Sequence, residues 1–289
     1  MSEGIPTERP ESAERLSWRI ESLSEKGTGE MNEDALFIGR NRFGVFDGAT
    51  SLDRYVDENR KTGGYLASMI AKEALETSEG SLIDIALIAN GRIREAMCAK
   101  GIDMDQKERL WGTAAAVVEI NPSGKTFEWV QISDSLILLI NKDGTSRITT
   151  PDFEDQDRDI FIHWKELVDR GVENVREVLN DEIMQHRRDS NVTYGVLNGE
   201  EATAGFLRSG RESLEGIAHI LIFTDGLFIP KEDRREPHDF GLIAKLFLEG
   251  GLENVKRYVR EIQESDPDCT RYVRSKQSDD MTAIAISFV

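Results

Sequence analysis

Long apolar runs are missing from this chain. The most hydrophobic stretches, Leu136 to Ile140 and Ile217 to Phe223, fall far short of the roughly 20 residues that span a bilayer. An apolar signal core is missing as well: Met1 to Glu14 is polar and acidic, and residues 1–15 are read as a disordered lead-in rather than an address. Cysteine is scarce. Cys98 and Cys269 are far apart and form no CxxC pair, so reduced structural thiols in the cytoplasm are expected. Positive charge is in deficit, with 36 Lys and Arg against 54 Asp and Glu, a net charge of −18. That field opposes nucleic-acid backbones and anionic membranes, so neither is expected as a partner. It leaves room for a small phosphorylated group, because a bound metal reverses the field locally. Internal repeats and low-complexity segments are also absent.

What remains is the composition of a soluble globular protein, 39% hydrophobic and 31% charged over 289 residues, ample for a substantial core. Leu16 to Ile20 reads as a strand. Ala35 to Ile38 and Phe43 to Phe46 flank the turn signal Gly39-Arg40-Asn41-Arg42 and read as a hairpin. Two helices follow. Gly63-Gly64 opens one with Leu66, Ile70 and Ala74 on a face; Ser81 caps the next, striped by Leu82, Ile85, Ala86, Ala89, Ile93 and Met97. Strands return at Thr113 to Ile120, Phe127 to Ile132 and Ile137 to Ile140. Residues 151–211 are charged and irregular, a flap or insertion between core strands. Ala218 to Thr224, a helix pair striped by Leu242 to Phe247 and Leu252 to Ile262, and Met281 to Val289 complete the pattern. Hairpins separated by helix pairs favour α+β with antiparallel sheets covered by helices.

Four short acidic stretches each adjoin an apolar run: Asn32-Glu33-Asp34, Asp47-Gly48, Asp225-Gly226 and Asp279-Asp280. Carboxylates at the ends of buried strands are costly unless a cation offsets them. If the ends converge, oxygen-only ligation selects hard cations such as Mg²⁺ or Mn²⁺. Two such ions about 3.5–4 Å apart lower the pKa of a shared water and clamp phosphoryl oxygens. Taken singly, an Asp-Gly dipeptide is most often a turn; the order and context of all four carry the reading.

Six segments in order, Asn32-Glu33-Asp34-Ala35, Val45-Phe46-Asp47-Gly48, Trp111-Gly112-Thr113-Ala114, Ser133-Asp134-Ser135, Phe223-Thr224-Asp225-Gly226 and Asp279-Asp280-Met281-Thr282, cover about residues 16–289. As a set they resemble the metal-dependent serine/threonine protein phosphatases of the type 2C class, as a divergent bacterial-type member. The resemblance implies a single domain over 16–289, built as a four-layer αββα sandwich of two antiparallel sheets flanked by helix pairs. It implies two divalent cations, Mn²⁺ or Mg²⁺. Asp47 would bridge them, Gly48 would give its carbonyl, Asp225 and Asp280 would ligate one ion, and Glu33 would hold water on the other with Asp34 behind it. Asp134 takes the position that helps bind a third, weaker metal in bacterial members.

Two positions depart from the family pattern. The histidine that usually follows Asp-Gly, and protonates the leaving alkoxide, is replaced by Ala49; His163 or His186 of the variable region is the candidate substitute. The arginine expected four residues before Glu33 is Gly29, leaving Lys26 as the nearest phosphate-binding cation. The expected function is hydrolysis of phosphoserine or phosphothreonine in proteins. The alternatives are a phosphatase for small phosphorylated metabolites and a catalytically silent binding protein on the same fold.

Overall fold

The computed structural model describes residues 16–289; the lead-in read over 1–15 lies outside the described residues. Apolar alternation builds two five-stranded sheets, antiparallel throughout. The first has the order β1-β10-β9-β6-β7, from Trp18–Glu25, Met281–Phe288, Ile217–Phe223, Leu136–Asn141 and Ser146–Ile148. The second has the order β2-β3-β4-β5-β8, from Ala35–Ile38, Arg42–Ala49, Gly112–Asn121, Thr126–Ile132 and Arg208–Ser213. Period-two alternation sorts each strand between two cores. Phe43 and Val45 of β3, Ile220 and Ile222 of β9, and Ile284 and Ile286 of β10 interlock between the sheets.

The opposite faces are covered by helices. α1 (Gly63–Thr77) and α2 (Leu82–Ala99) bury Ala67, Ala71, Leu75, Ile85, Ile93 and Met97 on the second sheet. The expected α2 stripe is buried in full, and Ser81 Oγ accepts from Asp84 N–H as its N-cap. On α1 the buried line is Ala67, Ala71, Ala74 and Leu75, one residue on from the expected Leu66 and Ile70, because close contact between helix and sheet selects small side chains. α6 (Phe240–Glu264) covers the first sheet. It breaks at Gly250-Gly251, where Gly251 has φ 70°, so it acts as the expected helix pair. Its second half starts at Leu252, whose N–H donates to the Glu21 carboxylate of β1 at 2.7 Å. The layers are therefore αββα.

The 151–211 segment contains α3 (Arg158–Asp169), α4 (Val175–Val178) and α5 (Asn180–Arg188), packed around Leu167, Val175 and Leu179. It is tied into the sheets at two points. Leu197 exchanges both backbone hydrogen bonds with Thr113 at the start of β4, and the chain then enters edge strand β8.

Candidate metal centre

One end of the sandwich gathers the acidic stretches because of strand direction. β3 and β9 finish there, β2 and β10 begin there, and the β5–β6 turn carrying Ser133-Asp134-Ser135 lies there too. Asp47 is in phase with Phe43 and Val45, so the face that fills the core between the sheets ends in a carboxyl. A polar cavity of about 360 Å³ opens at this end, with Glu33, Asp47, Gly48, Asp134, Asp225 and Asp279 in its lining.

Buried charge dominates the electrostatics. Burial, then the charge of Asp279, pushes Asp225 up to about 7, although Asp225 shares a hydrogen bond with Asp47. Burial and the same neighbour raise Asp34 to about 8. Asp47 and Asp134 are driven well above the ordinary carboxylate range, first by burial and then by neighbouring acids, Asp34 for the former and Asp225 for the latter. Without a cation, protons must neutralise these groups; a divalent ion would do so instead.

Backbone approach is as constrained as the charge. A Cβ on Gly48 would stand 2.4 Å from the Gly64 carbonyl oxygen and 2.6 Å from that of Glu33; one on Gly226 would stand 1.8 Å from the Asp280 carbonyl oxygen. Glu33 is held by its surroundings: Thr50 Oγ1 donates to its Oε1 at 2.6 Å, and Ser68 Oγ donates to its carbonyl at 2.5 Å. Asp34 lies between the sheets, accepting from Thr224 Oγ1 at 2.8 Å.

Of the residues expected from sequence, Glu33, Asp47, Gly48, Asp134 and Asp225 line the cavity together, with Asp34 buried behind them. Asp280 is placed differently. Its Oδ1 accepts from Gly27 N–H and its Oδ2 from Glu33 N–H, both at 2.8 Å, so both oxygens face the 27–33 loop. Asp279 lines the cavity in its stead and exerts its charge on Asp34, Asp47 and Asp225. Lys26 is also elsewhere: its Nζ reaches the Glu30 carbonyl at 3.4 Å, and it does not line the cavity. His163 pairs with Glu182 on the exposed side of α3, whereas His186 lines the cavity, 2.9 Å from Asp157 and stacked on Tyr194.

Lys276 and three arginines, none of them expected from sequence, also line the cavity. Lys276 Nζ lies 2.5 Å from Asp279 Oδ1, and the charge of Asp279, then those of Asp47 and Asp225, raise its pKa. Arg54, Arg176 and Arg187 stand on the rim. No sequence signal marks these cations, since arginine and lysine are common on any solvated face.

Among the described residues, no three His, Cys, Asp or Glu side chains are drawn into a preformed ligand cluster. The donor set nonetheless suits a hard divalent cation: all oxygen, largely buried, and in excess of the nearby positive charge.

No family model and no curated protein matches the chain. Solved structures do. PppA of Pseudomonas aeruginosa, described as a regulatory component of T6SS, is 16% identical at TM-score 0.58, over 95% of this chain and 99% of that one. The catalytic domain of the serine/threonine phosphatase PstP, solved with two manganese ions, is 18% identical at TM-score 0.56, over 95% and 99%. The PPM Ser-Thr phosphatase MsPP of Mycobacterium smegmatis, solved with cacodylate, is 19% identical at TM-score 0.53, over 93% and 97%. Two packed antiparallel sheets with helices outside them are thus the fold of the PPM-type serine/threonine phosphatases.

Proposed function

We propose that this chain is a metal-dependent phosphoric monoester hydrolase acting on phosphoserine and phosphothreonine in proteins. The observation that carries the reading is the convergence on one cavity of Asp47 from the end of β3, Asp134 from the β5–β6 turn, Asp225 from the turn after β9 and Asp279 from the loop before β10. Burial raises the pKa of three of them, Asp47, Asp134 and Asp225. A stable protein keeps so many buried acids together when a cation offsets them.

Two divalent cations, when bound, would lower the pKa of a shared water and polarise the phosphoryl oxygens. The chain's own residues set everything else. Asp47, which lines the cavity with Asp225, would take the bridging position, with the Gly48 carbonyl beside it. Asp225 and Asp279 would hold one ion, Glu33 would orient water on the other with Asp34 behind it, and Asp134 would serve a third. In this assignment Asp280 is a positioning residue: it fixes the 27–33 loop through two amides and so places Glu33. Ala49 offers no proton to a leaving alkoxide, so departure of serine is the harder step; a positioned acid is worth about 10²–10⁴-fold.

The test is phosphate release from a phosphoserine peptide after chelation, with Mn²⁺ or Mg²⁺ then restored. Release that requires metal is expected, and p-nitrophenyl phosphate, whose leaving group needs no proton, should turn over faster than the peptide. Absence of release from any phosphoester with metal restored would sink the proposal.

A further inference from the structure

A site for phosphoesters needs a group that grips the phosphoryl oxygens remote from the metals. At Gly29 there is no side chain to do so, and Lys26 is directed away. The cavity draws its cations from elsewhere. Resting on the phosphoester reading above, we propose that Arg187, carried by α5 of the 151–211 segment, is the phosphate-binding side chain of this cavity.

Three observations support it. The first is pairing. Residues 186–188 are consecutive, and the outer two are bound to carboxylates: His186 to Asp157 at 2.9 Å and Arg188 to Glu108 at 3.2 Å. Arg187, between them, makes only a long hydrogen bond to the Thr50 carbonyl at 3.4 Å and has no carboxylate partner among the described residues. In a chain with 54 acidic residues, a half-buried guanidinium without one is available to an anion.

The second is placement. Thr50 lies three residues after Asp47 and its hydroxyl donates to Glu33, so Arg187 stands over the loop that bounds the acidic floor. The cavity therefore has acids at its base for cations and guanidinium groups on its rim, with Arg54 and Arg176 also there, for a dianion. A planar guanidinium matches a phosphate with two parallel hydrogen bonds, which a lysine cannot reproduce.

The third is preorganisation. The end of α5 is pinned to the turn Lys107–Arg109: Lys107 Nζ donates to the Ser190 carbonyl at 2.7 Å, and Arg188 pairs with Glu108. The same turn holds the loop after β3, Leu52 N–H donating to the Glu108 carbonyl at 3.1 Å. Arg187 and the metal-side loop are thus fixed to one support, and less rotamer freedom is lost on binding.

The test titrates inorganic phosphate calorimetrically into the full chain loaded with Mg²⁺, alongside Arg187→Ala and Arg187→Lys, with Mg²⁺ affinity and thermal unfolding measured on each. The expected result is a Kd for phosphate raised about tenfold or more in Arg187→Ala, the scale of a lost charge-assisted contact. Arg187→Lys should recover part of the loss, while Mg²⁺ affinity and unfolding temperature stay unchanged in both. Equal phosphate affinity in wild type and Arg187→Ala overturns the inference, as does failure of the wild type to bind phosphate. So does a loss accompanied by equal loss of Mg²⁺ binding, which would make Arg187 a support for the loop. Binding with this pattern in a chain that hydrolyses nothing would overturn the hydrolase reading and leave this inference standing.

Discussion

Adjacent aspartates 279 and 280 separate two roles that can be tested against each other. In Asp280→Asn, one carboxylate oxygen becomes an amide NH₂ and can no longer accept, so Gly27 N–H or Glu33 N–H, each now bound at 2.8 Å, is orphaned. Loss of a hydrogen bond to a charged acceptor costs about 1.5–3 kcal/mol. At about 2–4 °C per kcal/mol for a chain of this size, the metal-free protein should melt several degrees lower. In Asp279→Asn, the half-exposed pair with Lys276 is lost, worth no more than about 1 kcal/mol. Repulsion with Asp34, Asp47 and Asp225 is relieved in exchange. Its metal-free melting temperature should therefore stay within about 2 °C of wild type. Mn²⁺ affinity, measured by calorimetry, should fall more than about 100-fold, beyond the usual effect of residues that only support a ligand. The reverse pattern, a stable Asp280→Asn that binds no Mn²⁺ and a destabilised Asp279→Asn that binds normally, would refute the assignment.

Gly226→Ala places a methyl 1.8 Å from the Asp280 carbonyl oxygen, so the start of β10 must shift; denaturant unfolding should show a loss of about 3 kcal/mol or more. Lys276→Met removes an ammonium 2.5 Å from Asp279 that stands in the field of the buried acids, and Mn²⁺ should bind about tenfold tighter by calorimetry; unchanged or weaker binding would count against it. For Asp266, burial alone would raise the pKa, but the amides of Tyr272, Arg271 and Thr270 and the Arg274 guanidinium outweigh it and hold the group at about 2. A depressed folded-state pKa stabilises above the ordinary value and is lost as pH falls through the folded one. The stability gap between wild type and Asp266→Asn should therefore shrink by about 1–2 kcal/mol, after allowance for solvent screening, between pH 4 and pH 2.

Strands buried on at least one face were legible in the sequence. β2, β3, β4, β5, β6, β9 and β10 fall within a few residues of their expected spans because each carries an apolar run or alternation. β1 is displaced, from Leu16–Ile20 to Trp18–Glu25, since its Glu21 to Glu25 half is an edge held by backbone pairing to β10 rather than by burial. β8, reading Arg-Ser-Gly-Arg-Glu-Ser, is an edge of the same kind and carries no apolar signal at all. At the site, Asp47, Gly48 and Asp225 were visible because each terminates a buried strand. Which of two neighbouring aspartates faces the cavity depends on the turn into β10. The approach of Arg187 depends on tertiary packing across more than 130 residues, to Thr50, which no local pattern encodes.

The placement of β10 in the middle of its sheet has a kinetic side. β10 pairs on one edge with β1 and on the other with β9, in register from Trp18 opposite Phe288 to Glu25 opposite Met281. Among the described residues β1 has no other neighbour in the sheet, and the Glu21 carboxylate that starts the second half of α6 comes with it. β1 must wait for loop closure across more than 250 residues, and the contact of Glu21 with Leu252 for closure across 231, both of the slow, high-contact-order kind. Asp279 lies just before β10, so the cavity lacks one of its charges until that strand has joined the sheet, and a chain without β10 in place would have less hold on metal.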